Sequence, residues 1–262
     1  MDNQEEKYKK MDEVLKNYKQ DYEQFIHFAA HDLDSPLRKL STFVARLGTK
    51  YKEVNDEDIK TYLARIENCV EEMRSVIDSL QKLSLVSSEK TTVQNCDLKK
   101  IVEKTLNNLQ EEIKERKTDF QTGDLPVIQG NENQFLLLFK NIFDNSIKFS
   151  RGDQSLTVQI LSAILSKEEK LKFNLSGETV YYKIFIMDNG RGFEQEQAED
   201  IFKPFVRLHG KSEIPGTGLG LSICKKIVEN HHGFIYAEGF KNSGSRFVLI
   251  LPQMQEGNVI NE

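Results

Sequence analysis

Apolar and small residues in the first third of the chain recur in alternating steps of four and three, a pattern that few folds accept. Ile26, Ala30, Leu33, Leu37, Leu40, Val44, Leu47 and Tyr51 form one run, and Ile59, Leu63, Ile66, Val70, Met73, Ile77 and Leu80 form a second. Such steps keep one stripe of an α-helix facing a neighbouring helix. Asn55, Asp56 and Asp58 lie between the runs and supply turn and N-cap chemistry, so the helices are expected to double back as an antiparallel hairpin. One hairpin cannot bury both stripes against itself. Pairing two hairpins into a four-helix bundle does so, which predicts a homodimer. Tyr8, Met11, Leu15, Tyr18 and Tyr22 extend the first run as a coiled-coil segment over residues 1–24, with a stutter where Tyr18, Tyr22 and Ile26 are spaced by two fours. It reads equally as a plain helical extension or as a shaft carrying a signal into the hairpin.

Composition marks where this regime stops. Residues 1–86 contain one Gly (Gly48) and one Pro (Pro36), whereas the remainder holds the other fourteen Gly and four Pro. The expected organisation is an all-α helical hairpin over 25–86, a polar linker over 87–95, a second domain over 96–254 and a tail over 255–262. The polar stretch from Ser84 to Asn95 is read as lacking helical period. Beyond it, helices are expected at Leu98 to Lys114, Gln134 to Phe149 and Leu221 to His231. Strands are expected around Val127, at Leu156 to Leu165, at Thr179 to Met187, and as a hairpin of Phe234 to Ala237 with Arg246 to Leu251. Lys167 to Gly177 reads as a charged hairpin tip. Strands and helices mix without βαβ alternation, which points to an α+β sandwich.

With 36 basic and 41 acidic residues the net charge is −5, so nothing draws the chain to nucleic acid or anionic lipid. Cys69, Cys96 and Cys224 are too few and too scattered for a disulfide framework or a metal site. No apolar run approaches the roughly 20 residues of a membrane span, and the charged start at Met1 to Lys10 is unlike a signal peptide; the expectation is a cytoplasmic chain.

Chemistry concentrates where glycines separate strands from helices. Asp188-Asn189-Gly190-Arg191-Gly192 follows a strand directly; its carboxylate can accept from an exocyclic amine such as adenine N6, although the motif alone is as readily a turn. Gly216-Thr217-Gly218-Leu219-Gly220 precedes a helix, whose N-terminal amides can hold phosphate. A Rossmann turn is excluded, since its glycines follow a buried strand and these follow the polar Arg207 to Pro215 stretch. Asn141, Asn145 and Lys148 project from one face of an otherwise apolar helix, as its solvent edge or as a site.

In order, Asn141-x-x-x-Asn145-x-x-Lys148, Asp188-x-Gly190-x-Gly192, Phe202-x-Pro204-Phe205, Gly216-x-Gly218-x-Gly220 and Gly244-Ser245-x-Phe247 resemble the ATP-binding domain of sensor histidine kinases, from about residue 96 to 252. The stretch from Phe205 to Gly210 resembles the short lid of the phytochrome-like, PAS-linked branch. The resemblance implies ATP and Mg²⁺ as cofactors. Asp188 would read adenine, with Gly190 and Gly192 admitting the ring, and Asn145 would ligate Mg²⁺. Lys148 and the amides of Gly216, Thr217, Gly218, Leu219 and Gly220 would hold phosphates, with Arg207 or Lys211 reaching the terminal one. Related ATPases of gyrase, mismatch repair and heat-shock chaperones carry at position 141 a Glu that activates water; Asn141 in its place favours transfer over hydrolysis.

The resemblance also requires a phosphoacceptor, and His31-Asp32-Leu33-Asp34-Ser35-Pro36-Leu37 resembles the family's H-box. His31 lies between seam positions Ala30 and Leu33, so it can face solvent, with Asp32 placed as orienting acceptor and base. His27 precedes it by four, but without a Glu or a third ligand the pair is no zinc site. His231 and His232 are taken as structural. Ser35 stands where the family often has Thr or Asn for dephosphorylating the partner, and without the methyl that fixes a Thr rotamer the expectation is weak or absent phosphatase activity. The implied partner is the receiver domain of a separate response regulator, acting in trans, with the upstream sensor absent from this chain.

Overall fold

The computed structural model describes residues 37–38, 40–49, 57–88, 93–152, 154–175, 177–208 and 216–254. The N-terminal extension, His27, His31, Asp32, Ser35, Lys211 and the tail therefore lie outside the described residues. The chain divides into two compact units, 1–89 and 90–262.

In the first unit, helical residues 37–38 and 40–49 (α1) pack on α2 (Glu57–Ser88) through a cluster of Leu37, Val70 and Ile77, with Leu80 against it. The seam is buried at every seventh residue: Leu37 and Val44 on α1, and Val70, Ile77 and Ser84 on α2, are all at most 6% exposed. Ser84 thus holds a seam position in place of an apolar residue. This corrects the reading of Ser84 to Asn95 as non-helical: the heptad continues to Ser88 because position beats composition, and burial of Ser84 and Val86 overrides weak helix propensity.

The second unit begins with β1 (Gln94–Asp97), α3 (Leu98–Asn108) and α4 (Gln110–Arg116). The expected single helix breaks at Leu109, whose side chain is 1% exposed and whose N–H bonds Leu106 O at 3.1 Å. Then follow β2 (Asp119–Thr122), β3 (Val127–Gly130), α5 (Glu132–Lys148), β4 (Thr157–Ile164), α6 (Lys167–Lys172), β5 (Tyr181–Asp188), two 3-10 turns (Gln195–Gln197 and Asp200–Phe202), α7 (Gly220–Asn230), β6 (Phe234–Phe240) and β7 (Gly244–Pro252). β1 pairs with β3, and the main sheet runs β2-β4-β5-β7-β6, antiparallel except for β2 beside β4.

Register explains the core. Ile160, Ile186, Phe247 and Ala237 lie opposite one another across four strands, so their side chains share one face, and all are at most 5% exposed. That face meets the helices: Phe143 of α5 sets its ring 5.1 Å from Phe120 of β2. Phe135, Leu138, Phe139, Ile142 and Phe143 of α5 are all 0% exposed. On the opposite face, Leu165, Tyr181 and Ile250 cluster under Phe173 and Leu175 of the segment following β4. That segment is not the bare charged tip expected from sequence. It contains α6, started by a capping box in which Ser166 Oγ accepts from Glu169 N–H and Glu169 reaches back to Ser166 N–H.

Candidate nucleotide site

α5 starts where the Asn131 side chain accepts from Gln134 N–H at 3.1 Å. Its apolar residues turn to the sheet and to α3 and α7. Asn141, Asn145 and Lys148, at spacings of four and three, are left on the other side. They line a cavity of about 350 Å³ together with Asp188, Gly192, Arg207, Gly216, Thr217, Gly218 and Gly220. All three residues thus share one concave surface with the glycine-rich loops. Gly190 and Leu219 sit behind the wall, Gly190 as a donor to Asp188 and Leu219 as the fully buried residue leading into α7.

At the inner end, Asp188 closes β5 and Ser245 lies opposite it in β7. Opposed residues of an antiparallel pair project to the same side. Ser245 Oγ accordingly donates to Asp188 Oδ2 at 2.5 Å, while Gly190 N–H donates to Oδ1 at 2.8 Å. Burial pushes the Asp188 carboxyl above its ordinary value, and the donors from Ser245 and Gly190 oppose that shift. Two close approaches require glycine. A Cβ on Gly244 (φ +117°) would fall 1.8 Å from Asp188 O, and one on Gly192 (φ +61°) 2.1 Å from Phe240 O.

At the outer end, burial lowers the Lys148 pKa and Arg207 lowers it further, with Asp144 opposing. A Cβ on Gly216 would meet Lys148 Nζ at 2.1 Å, so glycine there leaves the ammonium its place. α7 begins at Gly220 after Leu219, which offers no side-chain cap to the first-turn amides. A buried carboxylate ready for an amine, a cation and an uncapped helix start make a donor set that fits an adenine nucleotide. Among the described residues, Asn141 Nδ2 adds a buried donor with no oxygen or nitrogen hydrogen-bond partner.

Sequence reasoning assigned no role to Asp144, Ser146, Phe149, Phe193, Ile201, Val206, Leu208, Leu221, Ser245 or Phe247, which also line the cavity. For Ser245 and Phe247 the signal was present in Gly244-Ser245-x-Phe247; for most of the others only the fold brings the side chain to the wall.

Residues 130–255 match the family described as histidine kinase-, DNA gyrase B-, and HSP90-like ATPase. The chain is 32% identical over 232 residues to the phytochrome-like protein Cph1 of Synechocystis sp., a match covering 88% of this chain and 29% of that relative. It thus spans under a third of the length of that protein. Among solved structures, full-length ShkA in complex with AMPPNP superposes with a TM-score of 0.63 at 16% identity over 87% of this chain and 45% of ShkA. Histidine kinase ThkA in complex with response regulator protein TrrA gives a TM-score of 0.58 at 17% identity over 92% of this chain and 65% of ThkA. Residues 130–255 therefore belong to the histidine kinase-, DNA gyrase B- and HSP90-like ATPases, and the chain as a whole is similar to the catalytic regions of sensor histidine kinases.

Proposed function

We propose that the chain binds ATP with Mg²⁺, phosphorylates His31 and passes the phosphoryl group to an aspartate of a separate receiver domain. The observation that carries this reading is the single cavity that joins the Asp188–Ser245 pair to Lys148 and the start of α7. That one relative in structure was solved with AMPPNP and another with a response regulator supports the choice of nucleotide and partner.

Asp188 accepts from the adenine amine. Lys148 and the α7 amides hold phosphates, and Arg207 or Lys211 reaches the terminal one. Mg²⁺ would be held by Asn145 and would neutralise charge on the transferring group. The Nε2 lone pair of His31 forms a P–N bond as the bond from the γ-phosphorus to the β–γ bridging oxygen breaks. ADP leaves, and the Nδ1 proton passes to Asp32. The receiver carboxylate then takes the phosphoryl group as the P–N bond breaks, and Nδ1 regains its proton from Asp32, which frees a neutral imidazole. Asn141 lacks the carboxylate needed to activate water, which favours transfer over hydrolysis.

The homodimer belongs to the same proposal. Leu40, Leu47, Ile66 and Met73, the seam residues between the buried ones, are 44–45% exposed in the single chain. A second hairpin would cover them.

Incubation with γ-labelled ATP tests the whole. Acid-labile label on the wild-type protein and none on His31→Gln is the expected result. Steady phosphate release from an unlabelled protein would establish a hydrolysing ATPase instead. Rapid dephosphorylation of a phosphorylated receiver, abolished by Ser35→Ala, would overturn the expectation of weak phosphatase activity.

A further inference from the structure

We infer that Arg151 is a positioning residue for nucleobase recognition, because its guanidinium closes a ring of three loops that sets the geometry around Asp188; the inference rests on reading the cavity as an ATP site. The first loop follows α5 and carries Arg151, the second follows β5 and carries Arg191, and the third is the β6–β7 turn at Asn242. Arg151 donates to Asn242 O at 2.5 Å, Asn242 N–H donates to Arg191 O at 2.7 Å, and Arg191 N–H donates to Phe149 O at 2.9 Å. Each loop thus bonds the other two.

Two sides of this triangle are backbone to backbone, and only the Arg151 side is made by a side chain. It spans 91 positions in sequence. The turn it holds leads straight into Gly244 and Ser245, and Ser245 is the hydroxyl donor to Asp188 Oδ2. The second loop supplies the other donor, Gly190 N–H. Gly244 packs on the carbonyl of Asp188, and Gly192 packs on those of Phe240 and Gly244. The two loops therefore meet at van der Waals contact, and a small outward shift of the turn moves Ser245 relative to the carboxylate. Lys241 also ties the turn to Glu194, but that pair bonds neither Asp188 nor the first loop. Arg151 is the tie between the loop that ends α5, and hence the helix bearing Lys148, and the strand bearing Ser245.

This role predicts a selective loss. On the ATP-site reading Asp188 would contact only the exocyclic amine, so a loosened triangle weakens recognition of that amine and leaves the phosphate end intact. The test measures binding of ATP and of purine riboside triphosphate, which lacks the 6-amino group, to the wild type, Arg151→Ala and Arg151→Lys. The wild type prefers ATP. Arg151→Ala weakens ATP about tenfold and the amine-free nucleotide less than about twofold, and Arg151→Lys recovers part of the preference by donating one bond. Equal loss for both nucleotides, or no loss for ATP, would overturn the inference. A wild type that binds neither nucleotide would refute the ATP-site reading itself, a separate outcome.

Discussion

The two units close their apolar surfaces in opposite ways. α5 belongs to a core completed within the chain, with Phe135, Leu138, Phe139, Ile142 and Phe143 all sealed at 0% exposure. In the hairpin the seam is sealed at every seventh residue, and of the seam residues in the other register Leu80 is partly buried while four are open. Leu37, Val44, Val70 and Ile77 are at most 6% exposed, while Leu40, Leu47, Ile66 and Met73 between them keep 44–45%. Both patterns come from helices with regular apolar spacing. The difference is the partner: α5 meets a sheet of its own chain, whereas α1 and α2 meet each other on one edge of a stripe too wide for two helices. A self-sufficient unit can hold a site rigidly. A half-covered one leaves the apolar surface that the proposed second hairpin would cover.

The largest effect is expected where closure is complete. Phe139→Ala removes a fully buried ring between α5 and the sheet and should cost about 3–5 kcal/mol, read as a lowered denaturant midpoint of the second unit. Met73→Ala, at a half-exposed seam position, should cost the isolated fold far less. Comparable losses at the two positions would erase the contrast. The next effect tests the open side. Leu40→Glu combined with Met73→Glu should shift the protein from dimer to monomer in sedimentation at micromolar concentration while keeping its helical circular dichroism. An unchanged sedimentation coefficient would remove the argument for a paired bundle.

A third, smaller effect sharpens what self-sufficiency means. His231 is 0% exposed, at the end of α7; its Nε2 accepts from Asn131 N–H at 3.0 Å, and its Nδ1 lies 2.7 Å from Ile227 O. With one nitrogen accepting and the other facing a carbonyl, the ring is neutral with its proton on Nδ1. Burial holds its pKa below the ordinary histidine value, with Ile227 O opposing and His232 adding to the shift. The unfolded chain takes up a proton below about pH 6.5 and the folded chain resists it. The neutral form's contribution is therefore full above that pH and lost as pH falls, by up to about 1.4 kcal/mol per pH unit within the window. Denaturant midpoints measured between pH 8 and pH 5 should fall more steeply for the wild type than for His231→Gln. Parallel slopes would show that His231 does not titrate with unfolding.

Legibility in the sequence followed the distance over which a contact is made. The heptads of α1 and α2 and the triad Asn141, Asn145 and Lys148 are local to single helices, and their spacing states the shared face outright. The helix beyond Ser84 was hidden because a serine occupies a seam position, so composition spoke against it. β2 was invisible: its four residues become a strand only by pairing with β4, whose partners begin 38 positions later at Thr157. The Asp188–Ser245 and Arg151–Asn242 bonds are further beyond reach, because each depends on register and turn geometry across the sheet. α6 was missed for the opposite reason. Its local signal, Ser166 followed three residues later by Glu169, was present and was outweighed by the charge of the stretch.

That helix supplies the smallest expected effect. α6 has six residues and covers Leu165, Tyr181 and Ile250 through Phe173 and Leu175, on the sheet face away from the nucleotide cavity. Ser166 satisfies one of its orphan amides, so Ser166→Ala should cost about 1 kcal/mol or less, confined to this segment. Glu169 completes the box and also pairs with Lys183; the Lys183 hydrogen bond above all, then the Ser166 amide, holds its carboxyl down to about 2. A carboxyl held low contributes above its ordinary range and loses that contribution as pH falls toward 2. Amide protection, taken relative to the intrinsic exchange rate at each pH, should therefore fall in residues 167–175 of Ser166→Ala at neutral pH, and in the same segment of the wild type on acidification. Protection in α5 at neutral pH, and nucleotide affinity with it, should stay unchanged in the variant. If α5 loosened as well, the capping of α6 would be part of the closed core, and the line between the sealed interior and its outer cover would have to be redrawn.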